Sequence, residues 1–266
     1  MRTGQTLRGT TRLAFDVVEN VTDIVEGMYR NIAAKPLPFG EEPQGRARGI
    51  AGFVHEAIRT VNGGFRDATD LALRPFSDPL DRVYPPGPQR EAAIAALNGV
   101  CGDHLERSGN PLAIPLELRA YPPAIDGFDP ADSTTSPTTL YPRSQPLRAV
   151  PATFEPTGRI LVLAHGLCMN DRHWSWQGHD HGRVLAEAFD YTPVYLRYNS
   201  GRHISTNGRE FAAGLQRLAS DWPVPVESIT IVGFSMGGLV TRSAMHVAAQ
   251  QEMDWLDKVD RAAYVC

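Results

Sequence analysis

The stretch from Ile229 to Gly238 reads Ile-Thr-Ile-Val-Gly-Phe-Ser-Met-Gly-Gly, and it decides the fold. Its first four residues are apolar or β-branched, as in a strand that is buried on both faces. Gly233 and Gly237 flank Ser235, and a helix-forming stretch follows. A serine in a tight turn between strand and helix needs glycine at these positions, because a side chain there collides with neighbouring backbone. The pattern predicts that the turn lifts the Ser235 hydroxyl above a sheet, beside a helix N-terminus that favours developing negative charge.

Strands and helices alternate through residues 159–266. The continuous apolar run Ile160–Ala164 predicts one buried strand. Further strands are predicted at Pro193–Tyr198, Ser228–Val232 and Arg261–Val265, and helices at Gly182–Phe189, Asn207–Asp221 and Gly237–Gln251. This alternation is typical of a mostly parallel sheet with helices on both faces, so the predicted fold class is α/β.

The earlier part of the chain has a different character. Apolar residues at helical spacing predict helices between about Thr11 and Phe76, interrupted at Lys35–Gly40. A helix near Gln89–Arg107 and a short strand near Leu116–Ala120 follow, and the proline-rich stretch from Tyr121 to Pro146 predicts a long surface loop. We therefore expect three regions: a helical N-terminal region over 1–80, a proline-rich connection with the first strands over 81–158, and an α/β core over 159–266.

A second motif, His165-Gly166-Leu167, directly follows the first strand of the core. Ligands of parallel sheets collect at the carboxyl ends of the strands, where Ser235 also lies. Acyl transfer needs two backbone N–H groups that hold the developing oxyanion, and we expect them to come from Leu167 and Met236. His165 is expected to shape the loop through a hydrogen bond and not to act as a base.

The run Leu161–Leu167 and the turn Gly233–Gly238 together resemble the α/β-hydrolase superfamily on its lipase and esterase branch. The His-Gly-Leu loop is similar to that of bacterial triacylglycerol lipases and of inositol-deacylase-like hydrolases. The resemblance covers about residues 159–266 and implies a carboxylic ester hydrolase that acts through a serine acyl-enzyme on Ser235, without metal or organic cofactor. The same fold also serves acyltransferases, thioesterases and catalytically incompetent binding proteins, and these alternatives stay open.

The acid and histidine that this family places after later strands have no match here. Only 31 residues follow Ser235, and their single histidine, His246, lies about 16 Å further along the predicted helix. The chain is therefore expected to be a fragment of a complete hydrolase, a catalytically incompetent protein, or a protein with a replacement base. The replacement candidates lie on loops after strand ends: His173, His179, His181 and His203. Because losing a triad histidine costs about 10⁶ in kcat, we expect the isolated chain to be a very poor esterase.

Other residues are expected around the substrate. Trp174, Trp176, Phe234 and Met236 are candidates for an apolar acyl pocket, and the stretch Tyr198–His203, which includes the candidate pocket residue His203, offers polar groups toward a substrate head group. The predicted partner is a small-molecule or lipid ester. The last strand has no later neighbour, so we expect an open sheet edge that can pair with another chain.

Composition excludes several other classes. A net charge of −4 and a pI near 6.1 argue against nucleic-acid binding. The start lacks the apolar region of a secretory signal, and no apolar run is long enough to span a membrane, so a cytoplasmic protein without transmembrane segments is expected.

Three scattered cysteines form neither a disulfide framework nor a metal knuckle. Two histidines around Asp180 are too few for a metal site, and none is predicted.

Overall fold

The computed structural model describes residues 6–14, 16, 60, 67, 88–121, 138–141, 155–176 and 179–266. The described residues before 88 are all helical. The other residues of the predicted N-terminal helices lie outside the described part of the chain, as does most of the predicted loop from Tyr121 to Pro146. The predicted division at residues 80 and 158 stays a prediction.

The described residues belong to two compact units. The first contains the helical residues 6–14 and the segment Asn110–Leu112. The Asn110 side-chain amide donates to the Gly9 carbonyl at 2.9 Å. A Cβ on Gly9 would overlap the Leu112 side chain, so this glycine lets the helix and the segment lie against each other.

The second unit contains the strands and the remaining helices. In chain order these are α1 (Pro88–Arg107), β1 (Glu117–Ala120), β2 (Thr138–Tyr141), β3 (Arg159–Ala164), a 3₁₀ turn (Asp171–Trp174), β4 (Ser175–Trp176), β5 (His179–Asp180), α2 (His181–Phe189), β6 (Thr192–Arg197), α3 (Ile204–Asp221), β7 (Ser228–Phe234), α4 (Met236–Gln250), a second 3₁₀ turn (Asp254–Lys258) and β8 (Val259–Val265). Strands β4 and β5 form a separate antiparallel hairpin.

The main sheet has the strand order β2-β1-β6-β3-β7-β8. Strands β6, β3, β7 and β8 are parallel, whereas β1 pairs antiparallel with β6 and β2 pairs antiparallel with β1. This mostly parallel sheet confirms the predicted α/β class. Among the described strands β8 ends the sheet, and its pairing with another chain stays a prediction.

Helices pack on both faces of the sheet. Successive side chains of β3 point to opposite faces: Val162 lies in the larger core cluster with residues of α3 and α4, and Leu163 lies in a second cluster, against which Leu185 of α2 packs. Both β3 side chains are fully buried, which explains why the strand reads as a continuous apolar run. Among the helices that the structure describes, none is long and apolar enough to cross a bilayer.

The sequence prediction is wrong at β2, because Thr138–Tyr141 lies inside the stretch predicted to be a surface loop. Leu140 on this strand is buried in the larger core cluster. A strand of four residues is too short to show a clear alternation of apolar and polar residues, so its neighbours in the sheet, and not its own pattern, define it.

Candidate active site

The two predicted motifs meet at the carboxyl ends of neighbouring strands. Strands β3 and β7 are adjacent, with Ala164 paired to Gly233. A Cβ added to Gly166 would lie 3.3 Å from the Ser235 Cβ and 3.1 Å from the Phe234 ring. The loop after β3 is therefore in contact with the serine turn after β7.

Ser235 occupies the turn between β7 and α4 in a rare backbone conformation. Its φ is 49° and its ψ is −119°, a combination that costs a residue with a Cβ about 1–3 kcal/mol. The turn is held by two backbone hydrogen bonds, from the Ser235 N–H to the Val265 carbonyl at 2.7 Å and from the Gly238 N–H to the Ser235 carbonyl at 3.0 Å. The side chain is exposed. The geometry is thus a strained strand–turn–helix junction with an accessible hydroxyl.

The glycines on either side of Ser235 pack against backbone. A Cβ on Gly233 would lie 2.6 Å from the Gly238 Cα. A Cβ on Gly237 would overlap the Ala164 carbonyl oxygen and lie 2.6 Å from that of His165. Because backbone atoms of a sheet cannot move aside, the close approach of α4 to β3 requires glycine here.

The loop after β3 is anchored by a buried imidazole. His165 is fully buried, and its Nδ1 lies 2.9 Å from the Gly166 carbonyl oxygen. A carbonyl can only accept, so Nδ1 carries the hydrogen. The ring stacks on Tyr198 with centroids 4.3 Å apart, and the Tyr198 hydroxyl donates to the His165 carbonyl at 2.7 Å.

This anchor sets the direction of the next amide. In a trans peptide the N–H points away from the C=O, so the Leu167 N–H points away from the buried His165 ring. Met236 is the first residue of α4, and its N–H therefore has no partner within the helix. Among the described residues, neither the Leu167 N–H nor the Met236 N–H has a hydrogen-bond acceptor. Among the residues that the structure describes, the loop in contact with the serine turn and the first residue of α4 thus each carry a backbone N–H without an acceptor.

His165 is neutral near pH 7. Burial lowers its pKa from 6.5 to about 4, although the Gly166 carbonyl and the Asp171 carboxylate oppose this shift. Within the described part of the chain its Nε2 has no hydrogen-bond partner. A ring with this pKa is a poor acceptor for a serine proton. That His165 shapes the loop and does not act as a base stays a prediction.

The other histidines have different surroundings. The His173 ring forms a capping box with Asn170, and the His179 and His181 rings contact each other through Nε2 and Nδ1 at 3.0 Å. None of the histidine rings that the structure describes is hydrogen-bonded to the Ser235 hydroxyl. These rings belong to His104, His165, His173, His179, His181, His203 and His246.

The carboxylate of Asp180, which lies between His179 and His181 in the sequence, is hydrogen-bonded to groups of the protein itself. It accepts from the Ser175 hydroxyl, from the Tyr195 hydroxyl at 2.5 Å and from the Arg183 N–H at 2.7 Å. In the described ranges, no three His, Cys, Asp or Glu side chains are grouped so that they could hold a metal ion.

The candidate pocket residues that the structure describes lie in three places. Met236 packs against the larger core cluster. Trp174 and Phe234 pack in the same apolar cluster on the α2 face of the sheet. His203 lies apart, at the start of α3, with its side chain 82 % exposed and its Nε2 3.9 Å from Asp103. The Trp176 side chain lies outside the described part.

The expectation that residues after β6 offer polar groups to a substrate is wrong for three of them. Tyr198, Asn199 and Ser200 are buried, and their polar atoms bond to protein groups: the His165 carbonyl, the Gly102 carbonyl and the Cys168 N–H, respectively. The sequence signal for this packing is the pair Gly99 and Gly102, whose missing side chains let α1 lie against these loops.

A buried charge cluster lies at the end of β6. The Arg197 guanidinium donates to Glu91 at 2.6 Å and to Asp171 at 3.0 Å. Asp171 also accepts from the Tyr121 hydroxyl at 2.8 Å and from Arg119 at 3.2 Å. Burial alone would raise the pKa of Asp171, but the two guanidinium groups hold it well below its usual range. Sequence reasoning misses this cluster because its members are far apart in the chain.

Comparisons with known proteins add one structural likeness. No protein-family model matches the chain, and no curated protein matches it. Among solved structures the chain is similar to lipase BlEst2 of Bacillus licheniformis in its mature form, with 22 % sequence identity and a TM-score of 0.32. The match covers 40 % of this chain and 39 % of the lipase, so the chain spans about two fifths of that protein's length.

Proposed function

We propose that this chain carries the nucleophile and the oxyanion-binding groups of a serine hydrolase that acts on carboxylic esters. One observation carries the proposal: an exposed serine in a positive-φ turn lies against a loop whose Leu167 N–H, like the Met236 N–H after the serine, has no acceptor among the described residues. Structural serines seldom occupy such strained positions, because the strain must be offset elsewhere.

The arrangement supports acyl transfer as follows. The Ser235 oxygen attacks the ester carbonyl carbon, and the Leu167 and Met236 amides hold the oxyanion of the tetrahedral intermediate. When this intermediate collapses, the bond to the alcohol oxygen breaks, the alcohol leaves with the proton that the Ser235 hydroxyl gives up, and the acyl group stays on Ser235. Water then attacks the acyl carbon, the bond to the Ser235 oxygen breaks, a water proton returns to that oxygen, and the carboxylic acid is released. The proposal assigns no base, because no described histidine is bonded to Ser235.

The sharpest test measures covalent labelling of Ser235. Loss of one triad member already leaves only about 10³–10⁴-fold catalysis over water from the remaining groups, so turnover discriminates poorly between wild type and Ser235→Ala. A fluorophosphonate or p-nitrophenyl butyrate should instead leave one adduct on the wild-type chain, located on Ser235 by peptide mass spectrometry. Ser235→Ala should leave none.

Ser220→Ala is the matched control, because Ser220 is also an exposed serine but lies within α3 and donates to Gln216. It should be labelled like the wild type. The proposal fails if folded wild-type chain takes up no reagent, or if Ser235→Ala is labelled at the wild-type rate.

A further inference from the structure

We propose that Ser200 is a positioning residue for the oxyanion site: from the end of a different strand, it fixes the backbone that carries the Leu167 N–H. This role rests on the proposed function, because it assigns Ser200 to the same site. Ser200 is 2 % exposed and does not itself face a substrate.

The direct contact is a hydrogen bond from the Cys168 N–H to the Ser200 Oγ at 3.0 Å. Cys168 has a φ of 60°, which a residue with a side chain adopts only at a cost. The hydrogen bond to Ser200 offsets this cost. Because Ser200 is buried, the bond also ties the peptide between Leu167 and Cys168 to the interior of the protein.

Leu167 thereby has an anchored peptide on each side. The peptide before it is held through the Gly166 carbonyl by His165, and the peptide after it is held through the Cys168 N–H by Ser200. Since a residue has only two soft backbone dihedrals, fixing both adjoining peptides fixes the direction of its N–H. An oxyanion donor is effective only when it is aimed before the reaction begins.

Ser200 can act as an anchor because its own loop is rigid. The Asn199 Oδ1 accepts from the Gly201 N–H at 3.1 Å, and the Asn199 side-chain amide donates to the Gly102 carbonyl of α1 at 3.0 Å. The Asn207 side chain donates to the Asn199 carbonyl at 2.9 Å. These bonds tie the Ser200 loop to α1 and to α3.

Helix α1 closes the arrangement from the other side. A Cβ on Gly99 would overlap the Cys168 sulfur and lie 2.8 Å from the Cys168 Cα. A Cβ on Gly102 would overlap the Asn199 side-chain oxygen. The backbone of α1 therefore packs directly against both loops. Cys168 has no space to shift toward α1 when its hydrogen bond to Ser200 is removed.

The test combines amide exchange with labelling. In Ser200→Ala, the Cys168 amide should exchange about tenfold faster by NMR, which is what one buried hydrogen bond is typically worth. Fluorophosphonate labelling of Ser235 should slow by about tenfold or more, short of the 10²–10³ for complete loss of an oxyanion donor. Ser200→Thr keeps an acceptor oxygen and should restore both rates. Circular dichroism establishes that each variant is folded.

Ser175→Ala is the matched control, because it removes another buried serine hydroxyl, bonded to Asp180 and not to the 167–168 segment. It should leave Cys168 exchange and Ser235 labelling at the wild-type rates. Gly99→Ala adds a Cβ that overlaps Cys168 from the α1 side. It should therefore slow Ser235 labelling even though Ser200 is intact.

Two results would overturn the role of Ser200: Cys168 exchange unchanged in Ser200→Ala, or faster exchange with an unchanged labelling rate. If the wild type is not labelled at all, the proposed function fails. The exchange comparison then still decides whether Ser200 holds this segment, through loss or persistence of Cys168 protection.

Discussion

The carboxyl ends of the neighbouring strands β6, β3 and β7 carry polar groups in opposite surroundings. At the ends of β3 and β7, Ser235 is exposed and strained, and among the described residues the Leu167 and Met236 amides have no acceptor. At the end of β6, Arg197 and Asp171 are buried and joined by a direct ion pair. In the described part of the chain, the first region has backbone donors without a protein acceptor, whereas the second pairs its charged groups with each other.

The strained serine turn and the buried ion pair depend on their surroundings for different reasons. A strained turn persists only when its surroundings hold it, and here the rigid neighbours are the parallel strands and the close contact of α4 with β3. A buried ion pair is weak evidence for stability, because desolvation offsets most of the attraction. The charge cluster is instead expected to fix the arrangement of α1, the 3₁₀ turn at Asp171 and β6.

The largest effect is expected in the charge cluster. Asp171→Ala leaves Arg197 and Arg119 without a shared partner, and breaking a buried pair in this way costs about 3–5 kcal/mol of unfolding free energy. Urea denaturation measures the loss. Asp260→Ala is the control, because its contact with Arg261 is solvent-exposed and should be worth no more than about 1 kcal/mol. Equal losses in the two variants would contradict the distinction between the regions.

A smaller effect should appear in the pH dependence of stability. The folded-state pKa of His165 is about 4, below its ordinary value of 6.5, so the unfolded chain takes up a proton first as the pH falls. Unfolding free energy should therefore decrease by about 3 kcal/mol from pH 6.5 to pH 4 on account of this one group. Above pH 6.5 the effect fades, because the imidazole is then neutral in the unfolded chain as well.

His165→Asn tests this assignment, because an amide can still donate to the Gly166 carbonyl but does not titrate. The difference in unfolding free energy between wild type and variant should change between pH 6.5 and pH 4. Asp171, whose pKa is lowered from its ordinary 3.8, acts in a separate window: its contribution is present above that value and is lost at lower pH. A constant difference across pH 4–6.5 would count against a buried neutral His165.

The sequence predicts the elements with strong local patterns. The run Ile160–Ala164 matches β3, and the helix predicted at Asn207–Asp221 is α3 with one further turn at its start. The Ser235 turn is predictable from the sequence because the glycines that it requires, Gly233 and Gly237, lie only two residues from Ser235. Ser200 and Arg197 are not, since their partners Cys168 and Glu91 are 32 and 106 residues away and no local periodicity encodes such pairs.

The smallest effect isolates the strain at Ser235. Ser235→Ala and Ser235→Gly both remove the hydroxyl, but only glycine adopts a φ of 49° without steric cost. The strain of about 1–3 kcal/mol is relieved in the glycine variant and partly offset by the greater freedom of glycine in the unfolded chain. Ser235→Gly should therefore be about 1 kcal/mol more stable than Ser235→Ala in urea denaturation. Equal stability would mean that the turn stores no strain, and the contrast with the β6 end would then lie in exposure alone.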